Sequence, residues 1–394
     1  MMKPVYIVSL SRTPIGRFNG VLAEFKAPQL GAFSIQHAVE KIKLPLDMVD
    51  EVIMGNVLSA GLGQNPARQA ALFSGLPDGV ICSSVNKVCA SSAKAIMLGA
   101  VNIMAGLSDV IIAGGFESMT NTPYYLGRSI HPGKIGDYAL EDGIKKDGLW
   151  DVYNDYHMAA AAELVAAEMG ISREMQDAFA TESYKRAHTA NENKWYAGEI
   201  DAIKLTDKKT KAEIVITEDE EYKHVFYDKI PTLKPAFSKT GTITAANASK
   251  INDAGIALVL MSEAIVNELG LKPLAKIISF ADAEQNPARF PTTPAKAIRK
   301  ALSLAGCQLT DMDAFEIHEA FSCVALANMK ELGITHAVTN LNGGAVALGH
   351  PLGVSGARTV TSLISVLKRN GGKKGVAGVC NGGGGASSVV IELM

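Results

Sequence analysis

Residues 85–115 read VNKVCASSAKAIMLGAVNIMAGLSDVIIAGG. Ala93–Ala105 is apolar on nearly every side when wound as a helix, which places it in the middle of a domain rather than on its surface. The segment 109–113 (DVIIA) follows as a short buried strand, expected to stop at Gly114-Gly115. Residues 343–385, GGAVALGHPLGVSGARTVTSLISVLKRNGGKKGVAGVCNGGGG, repeat the plan more loosely. Ser355 to Lys368 reads as a helix, and Gly375 to Cys380 as an apolar strand ending in glycines. Cys89 stands just before the first helix and His350 just before the second. This echo predicts two similar α/β halves.

Elsewhere in the chain, Val5 to Leu10 and Glu51 to Val57 read as buried strands. Lys296 to Ala305 reads as a helix, Ala314 to Ile317 as a strand running into a helix from Ala320 to Leu332, and Ser388 to Leu393 as a last strand. Between about Asn121 and Ala246 the texture changes. His157 to Glu168 and Arg173 to Asn193 look helical, but Lys204 to His224 is charge-rich and poorly periodic. This stretch reads as an inserted cap. The expected organisation is therefore 1–120 with 247–271 as the first half, 121–246 as the loop or cap domain, and 272–394 as the second half.

The chain has 394 residues, 47% of them hydrophobic and 20% charged, so it can bury ample core without disulfide or metal staples. A net charge of −2 gives no reason to expect nucleic acid or an anionic membrane as partner. The five cysteines are odd in number and contain no CxxC pair, which fits free thiols in a reducing compartment. The start of the sequence, MMKPVYIVSLSRTPIG, shows neither a secretory nor an Arg-rich presequence pattern, and no transmembrane span is read. A cytoplasmic protein is the default, with the mitochondrial matrix open if a presequence was trimmed.

Four residues are candidates for chemistry, each of which alone could equally be structural. Cys89, at a helix N-terminus beside Ser91-Ser92, feels the positive end of the macrodipole, which favours a thiolate near neutral pH. Position alone leaves it open between a nucleophile and an inert buried cysteine. His350 sits among glycines and a proline, in a tight turn suited to aiming one side chain. Cys380 opens CNGGGG, whose backbone N–H groups could serve an oxyanion. That run has no Lys-Ser/Thr for a phosphate loop and does not open a helix. His318 and Glu319 form an HE pair at a strand end. A zincin motif would need His at 322, and Ser322 is there. No GxSxG elbow is present. Two cysteines and two histidines together suggest thiol acyl chemistry.

At this point the motifs resemble a known family. NKVCASS, HEAFS, GGAVALGHPLGVSGAR and CNGGGG are similar, in order and spacing, to the four signature blocks of the thiolases. ESMTNTPY, KPAFSKTGTITAANAS and INDAG look like further family blocks. The resemblance covers essentially the whole chain. EDEEYK at 218–223, AANAS at 245–249 and Phe290-Pro291 look closest to the short-chain acetoacetyl-CoA type. The fold it implies is α/β, two similar αβαβα-layered halves with an inserted loop domain.

The resemblance also implies roles. Cys89 would take the acyl group, His350 would accept its proton, and Cys380 would be the second acid/base. The backbone N–H groups of Cys89 and Gly382 would form one oxyanion hole. His318 would help to build the other with His350 and a water, although many short-chain members carry Asn at that position. Coenzyme A would meet Leu149, His157, Met158, Phe237, Ala246, Ser249 and Phe321. Potassium, where it activates, would bind at Tyr222, Ala245, Ala246, Ala248 and Val346, mostly through carbonyls. No cofactor is required beyond CoA thioester substrates. The implied assembly is a homo-oligomer, a dimer or dimer of dimers. The implied reaction is reversible Claisen condensation of two acetyl-CoA, with a longer-chain 3-ketoacyl-CoA thiolase of β-oxidation as the alternative.

Overall fold

The computed structural model describes residues 3–127, 137–206 and 210–394. In the first half β1 (Val5–Arg12), α1 (Ala27–Glu40), β2 (Glu51–Gly55), α2 (Pro66–Phe73), β3 (Ile81–Val85), α3 (Ser91–Ala105) and β4 (Val110–Ser118) follow one another. The chain then leaves the sheet. It forms α4 (Met158–Glu168), α5 (Arg173–Glu192) and a hairpin of β5 (Ile203–Thr206) with β6 (Glu213–Ile216), and returns as β7 (Asn252–Ser262). The second half comprises β8 (Ala275–Glu284), α6 (Thr293–Ala305), β9 (Ala314–Ile317), α7 (Ser322–Leu332), α8 (Ser355–Asn370), β10 (Lys374–Asn381) and β11 (Gly385–Leu393).

The strand order is β9-β10-β11-β8-β1-β7-β4-β2-β3. Outward from its middle, the first half runs β1-β7-β4-β2-β3 and the second β8-β11-β10-β9. Each half pairs its strands antiparallel except at the outer edge, where β2 runs parallel to β3 and β4, and β9 parallel to β10. In the second half Thr339 makes a parallel bridge to Phe315 where the first half has β3. The halves join through a short antiparallel pairing, Tyr6 with Lys276 and Ile7 with Ala275.

The layers follow from which side chains each strand turns inward. Alternate residues of β7 face opposite sides. Ile256, Leu258 and Leu260 join Ile96 and Ile103 of α3, and Leu363 and Val366 of α8, in a central core. Ala257, Val259 and Met261 pack outward with Ile35 and Val39 of α1. On the far side Ile298 and Leu302 of α6 cover Phe315, Val376 and Val390. Helices thus cover both faces of both half-sheets, which is why the strands read as unbroken apolar runs. The segment Val88–Ala105 is long and apolar enough to cross a membrane, with a mean hydropathy of 1.5, yet it is mostly buried between the half-sheets as α3.

The glycine pair in β4 corrects one expectation. The strand does not stop at Gly114-Gly115 but runs on to Ser118. A Cβ on Gly114 would lie 2.0 Å from the Ile256 carbonyl oxygen, and one on Gly115 would lie 2.1 Å from that of Gly353. These glycines admit neighbouring backbone; they do not end the strand. Likewise Lys204 to His224 is not wholly irregular, since it holds most of the β5–β6 hairpin.

Candidate active site

Cys89 is presented by the turn between β3 and α3. Val88 has a φ of 49°, a left-handed backbone that β-branched residues rarely adopt. Ser91 fastens the turn, its hydroxyl donating to the Val88 carbonyl at 2.6 Å and accepting from Lys87 N–H at 2.8 Å. Cys89 itself is 9% exposed, so it can be reached only from the cavity it lines.

His350 arrives from the other half. Its backbone N–H donates to the Lys250 carbonyl at 3.1 Å and to Asn252 Oδ1 at 3.0 Å. Gly349 before it has a φ of 104°, and a Cβ there would lie 2.4 Å from Asn252 Oδ1. The ring is oriented by Ser355, whose Oγ lies 2.6 Å from Nδ1 while its hydroxyl donates to the Pro351 carbonyl at 3.0 Å. With the serine proton committed to Pro351, the serine oxygen accepts from Nδ1–H. Nε2 is then bare, and it lies 3.2 Å from Cys89 Sγ.

His318, just beyond β9, places its Nε2 3.3 Å from the same His350 nitrogen. With that nitrogen unprotonated, His318 carries its own proton on Nε2 and shares the His350 lone pair with the Cys89 thiol, and its buried Nδ1 has no hydrogen-bond partner among the described residues. The neighbouring Glu319 is not free for metal chemistry. Its carboxylate accepts from Asn340 Nδ2 at 2.7 Å, Ser183 Oγ at 2.9 Å and Val346 N–H at 3.1 Å.

Burial sets the protonation states. It pushes the Cys89 thiol up to about 12, although the N–H groups of Gly382 and of Cys89 itself pull the other way. It pushes the His350 imidazole down to about 3, and the His318 imidazole well below its ordinary value, helped by His350. The Cys380 thiol is raised by burial and by Cys89. Burial therefore opposes the expected near-neutral thiolate: it favours a neutral thiol facing a neutral imidazole, against the pull of the helix terminus.

Cys89, His350, Cys380 and Gly382 line one cavity of about 50 Å³, whose wall also includes Leu149, His157, Met158, Ser249 and Phe321. Leu149, His157, Ser249, Phe321 and His350 also line an adjoining cavity of about 640 Å³, together with Phe237, Ala245, Ala246 and Ala248. All seven residues expected at coenzyme A thus border one or both spaces. His157 stacks on Phe237, ring centroids 4.6 Å apart. His318 lies behind His350 and is absent from both linings.

The residues expected at potassium meet a different cation. The Lys250 ammonium donates to the Ala248 and Val346 carbonyls, each at 2.9 Å, and to the Tyr184 hydroxyl. Tyr184 in turn donates to the Ala246 carbonyl at 3.4 Å. Tyr222 points its hydroxyl at Glu218 Oε2, 2.8 Å away. Two of the expected carbonyl oxygens, and through Tyr184 a third, are therefore engaged by protein donors, and this set does not fit a potassium ion.

Several functional candidates escaped the sequence reading. Ser355, which sets the His350 tautomer, was visible only as a small residue in a glycine-rich turn. Glu117 is wholly buried and accepts from Asn56 Nδ2 at 2.7 Å and from the N–H groups of Val57, Leu58 and Gly353 at 3.1, 3.0 and 2.8 Å. It thereby ties the loop after β2 to the loop after His350, and burial raises its carboxyl to about 7. Arg17, Lys229 and Lys250 bring positive charge to the large cavity from three separate stretches of chain, with no shared motif to signal it.

Known proteins share the sequence and the fold of this chain. The description "Thiolase, N-terminal domain" matches residues 5–264, and "Thiolase, C-terminal domain" matches 271–393. The acetyl-CoA acetyltransferase of Schizosaccharomyces pombe is 52% identical over 388 residues, covering 98% of each chain. A cytosolic acetyl-CoA acetyltransferase of Gibberella zeae is 52% identical over 391 residues, covering 99% of this chain and 98% of its own. The crystal structure of the Acat5 thiolase of Ascaris suum in complex with coenzyme A superposes with a TM-score of 0.94 at 42% identity, over 100% of both chains. With the two half-sheets, the facing cysteine and histidine, and matches along nearly its whole length, the chain belongs to the thiolase family.

Proposed function

We propose that the chain is an acetyl-CoA acetyltransferase that interconverts two acetyl-CoA with acetoacetyl-CoA and CoA through an acetyl-Cys89 intermediate. The observation that carries the mechanism is the bare His350 Nε2 held 3.2 Å from Cys89 Sγ by the Ser355 bond to Nδ1. In cleavage, the Cys89 thiol gives its proton to His350 as sulfur attacks the 3-keto carbon of acetoacetyl-CoA. The C2–C3 bond breaks, and the Cys380 thiol protonates the departing enolate to release acetyl-CoA. The Cys380 thiolate then takes the proton of CoA–SH, whose sulfur attacks acetyl-Cys89. Collapse of that adduct expels Cys89, which recovers its proton from His350. Synthesis runs the same steps backwards, and the covalent intermediate makes the kinetics ping-pong.

Oxyanion stabilisation is assigned to the N–H groups of Cys89 and Gly382 at the acyl-cysteine, and at the enolate to His350 and a water that His318, behind it, would help to hold. In support, both N–H groups already act on Cys89 Sγ. The small cavity beside the thiol, about 50 Å³, suits acetyl and acetoacetyl groups better than a long alkyl chain. Coenzyme A itself is assigned to the larger cavity, whose volume is in the usual range for small-molecule sites.

The division into halves 1–120 with 247–271 and 272–394, and a loop domain 121–246, belongs to the same reading. It is supported by β7 returning between β1 and β4. A homo-oligomer is supported by the sheet edge β3, where Ile81 is 64% exposed, and by nearby Phe73, 62% exposed, since a second copy would cover such an edge. The resemblance also suggests an oligomerisation arm at 121–147, a stretch that lies partly outside the described residues. A cytoplasmic location is supported by five free cysteines, which suit a reducing compartment.

The test is CoA-dependent cleavage of acetoacetyl-CoA by the wild type and by Cys89→Ala. Rapid cleavage lost in the variant is expected. A folded wild type that leaves acetoacetyl-CoA intact but cleaves a C16 substrate would overturn the short-chain assignment.

A further inference from the structure

Lys250 lies on the edge of the large cavity, two residues before β7. Its ammonium group bonds the Ala248 and Val346 carbonyls and the Tyr184 hydroxyl, and stands 5.0 Å from the Tyr184 ring centroid. Burial lowers the ammonium group to about 8, and two buried carboxylates, Glu221 and Glu319, act against that shift. Val346 is held from both sides, its N–H by Glu319 and its carbonyl by Lys250. Four residues later the same loop delivers His350, whose N–H is held by the Lys250 carbonyl. One residue therefore fastens the wall of the large cavity, through Ala248, and the loop that carries His350.

A ring of carbonyl and hydroxyl oxygens, which can replace an ion's hydration shell, is the setting of a monovalent cation. We propose that Lys250 is a tethered cation: its ammonium group holds the place among the Ala248, Val346 and Tyr184 oxygens that a free potassium ion would need, so activity and stability do not depend on added potassium. Lys250 is on this view a positioning residue, acting through the loops it fastens. The activity arm of the test rests on the acetyltransferase reading; the stability arm does not.

The experiment compares wild type and Lys250→Ala in sodium, potassium, ammonium and tetramethylammonium chloride at constant ionic strength. Acetoacetyl-CoA cleavage and the thermal unfolding midpoint are both read. In the wild type both readouts are expected to be the same in all four salts. Lys250→Ala should lose about tenfold or more in kcat/KM, the scale of a charged hydrogen bond. Potassium or ammonium should restore much of that loss and raise the midpoint, because they can enter the vacated ring, whereas bulky tetramethylammonium should do neither. A wild type activated severalfold or stabilised by potassium would overturn the proposal. So would a Lys250→Ala protein whose midpoint is indifferent to all four salts. If the wild type cleaves no acetoacetyl-CoA, the functional reading fails, and the salt dependence of the two midpoints still decides the role of Lys250.

Discussion

Gly356 of α8 sits directly on Ala93 of α3: a Cβ at 356 would lie 2.5 Å from the Ala93 backbone nitrogen. Next to this contact the Ala357 N–H donates to Ser92 Oγ at 2.9 Å. The first turns of the two central helices are thereby locked together across the halves. Cys89 stands two residues before one helix and His350 five before the other. Their 3.2 Å approach follows from how closely the helices touch. Gly356→Ala must push backbone apart, because the atom met is main chain. Overpacking of this kind costs about 1–3 kcal/mol. A lower unfolding midpoint and a marked drop in kcat are expected, whereas Thr361→Ala, further along α8 and away from this contact, should retain kcat. Equal kcat for Gly356→Ala and the wild type would refute this link between helix contact and chemistry.

Ser355→Ala tests the tautomer argument. Without the hydroxyl, nothing else described holds His350 Nδ1, and the imidazole can put its proton on Nε2, facing Cys89. That form cannot accept the thiol proton. The expected result is a fall in kcat of one to two orders of magnitude, the usual scale of general-base loss, with KM little changed. Ser355→Thr, which keeps a hydroxyl, should recover part of it. An alanine variant with wild-type kcat would show that Ser355 does not set the ring.

These two predictions also mark how far the sequence was legible. The apolar run of α3 and the turns before Cys89 and His350 were plain, because local periodicity and glycine placement encode them. Gly114-Gly115 misled, because the reason for them lies in the Ile256 and Gly353 carbonyls, far away along the chain. The thiolate expectation for Cys89 left burial out for a similar reason. The helix terminus is local and visible, whereas burial is collective and is not. Lys250 reads as one more charge beside AANAS until Val346, 96 residues away, is brought to it.

The pH dependence follows from the buried pair. The folded His350 protonates only near pH 3, while an unfolded histidine takes a proton near 6.5. The unfolded state therefore binds more protons between those values, and stability should fall as pH drops below about 6.5. At the other end the folded Cys89 holds its proton to about 12, against 9 when unfolded. Stability should then decline as pH rises above 9. Reactivity gives a more direct reading. Alkylation of Cys89 by iodoacetamide should keep rising with pH beyond 9, without the plateau of a thiol that is already ionised. A plateau below pH 7 would mean that the resting pair is thiolate and imidazolium.

The His318 Nε2–H faces His350 Nε2 at 3.3 Å, and burial keeps the ring neutral. What the site requires there is one hydrogen-bond donor without charge, and an asparagine amide provides that. His318→Asn should thus keep most of its activity toward acetoacetyl-CoA. His318→Ala removes the donor from a dry site and should cost about 2 to 4 kcal/mol of transition-state stabilisation, as loss of an oxyanion donor does. The loss should appear in kcat for enolate formation, measured as deuterium exchange into acetyl-CoA, more than in acetylation of Cys89. Equal loss in the two half-reactions would place His318 with the nucleophile and not with the enolate.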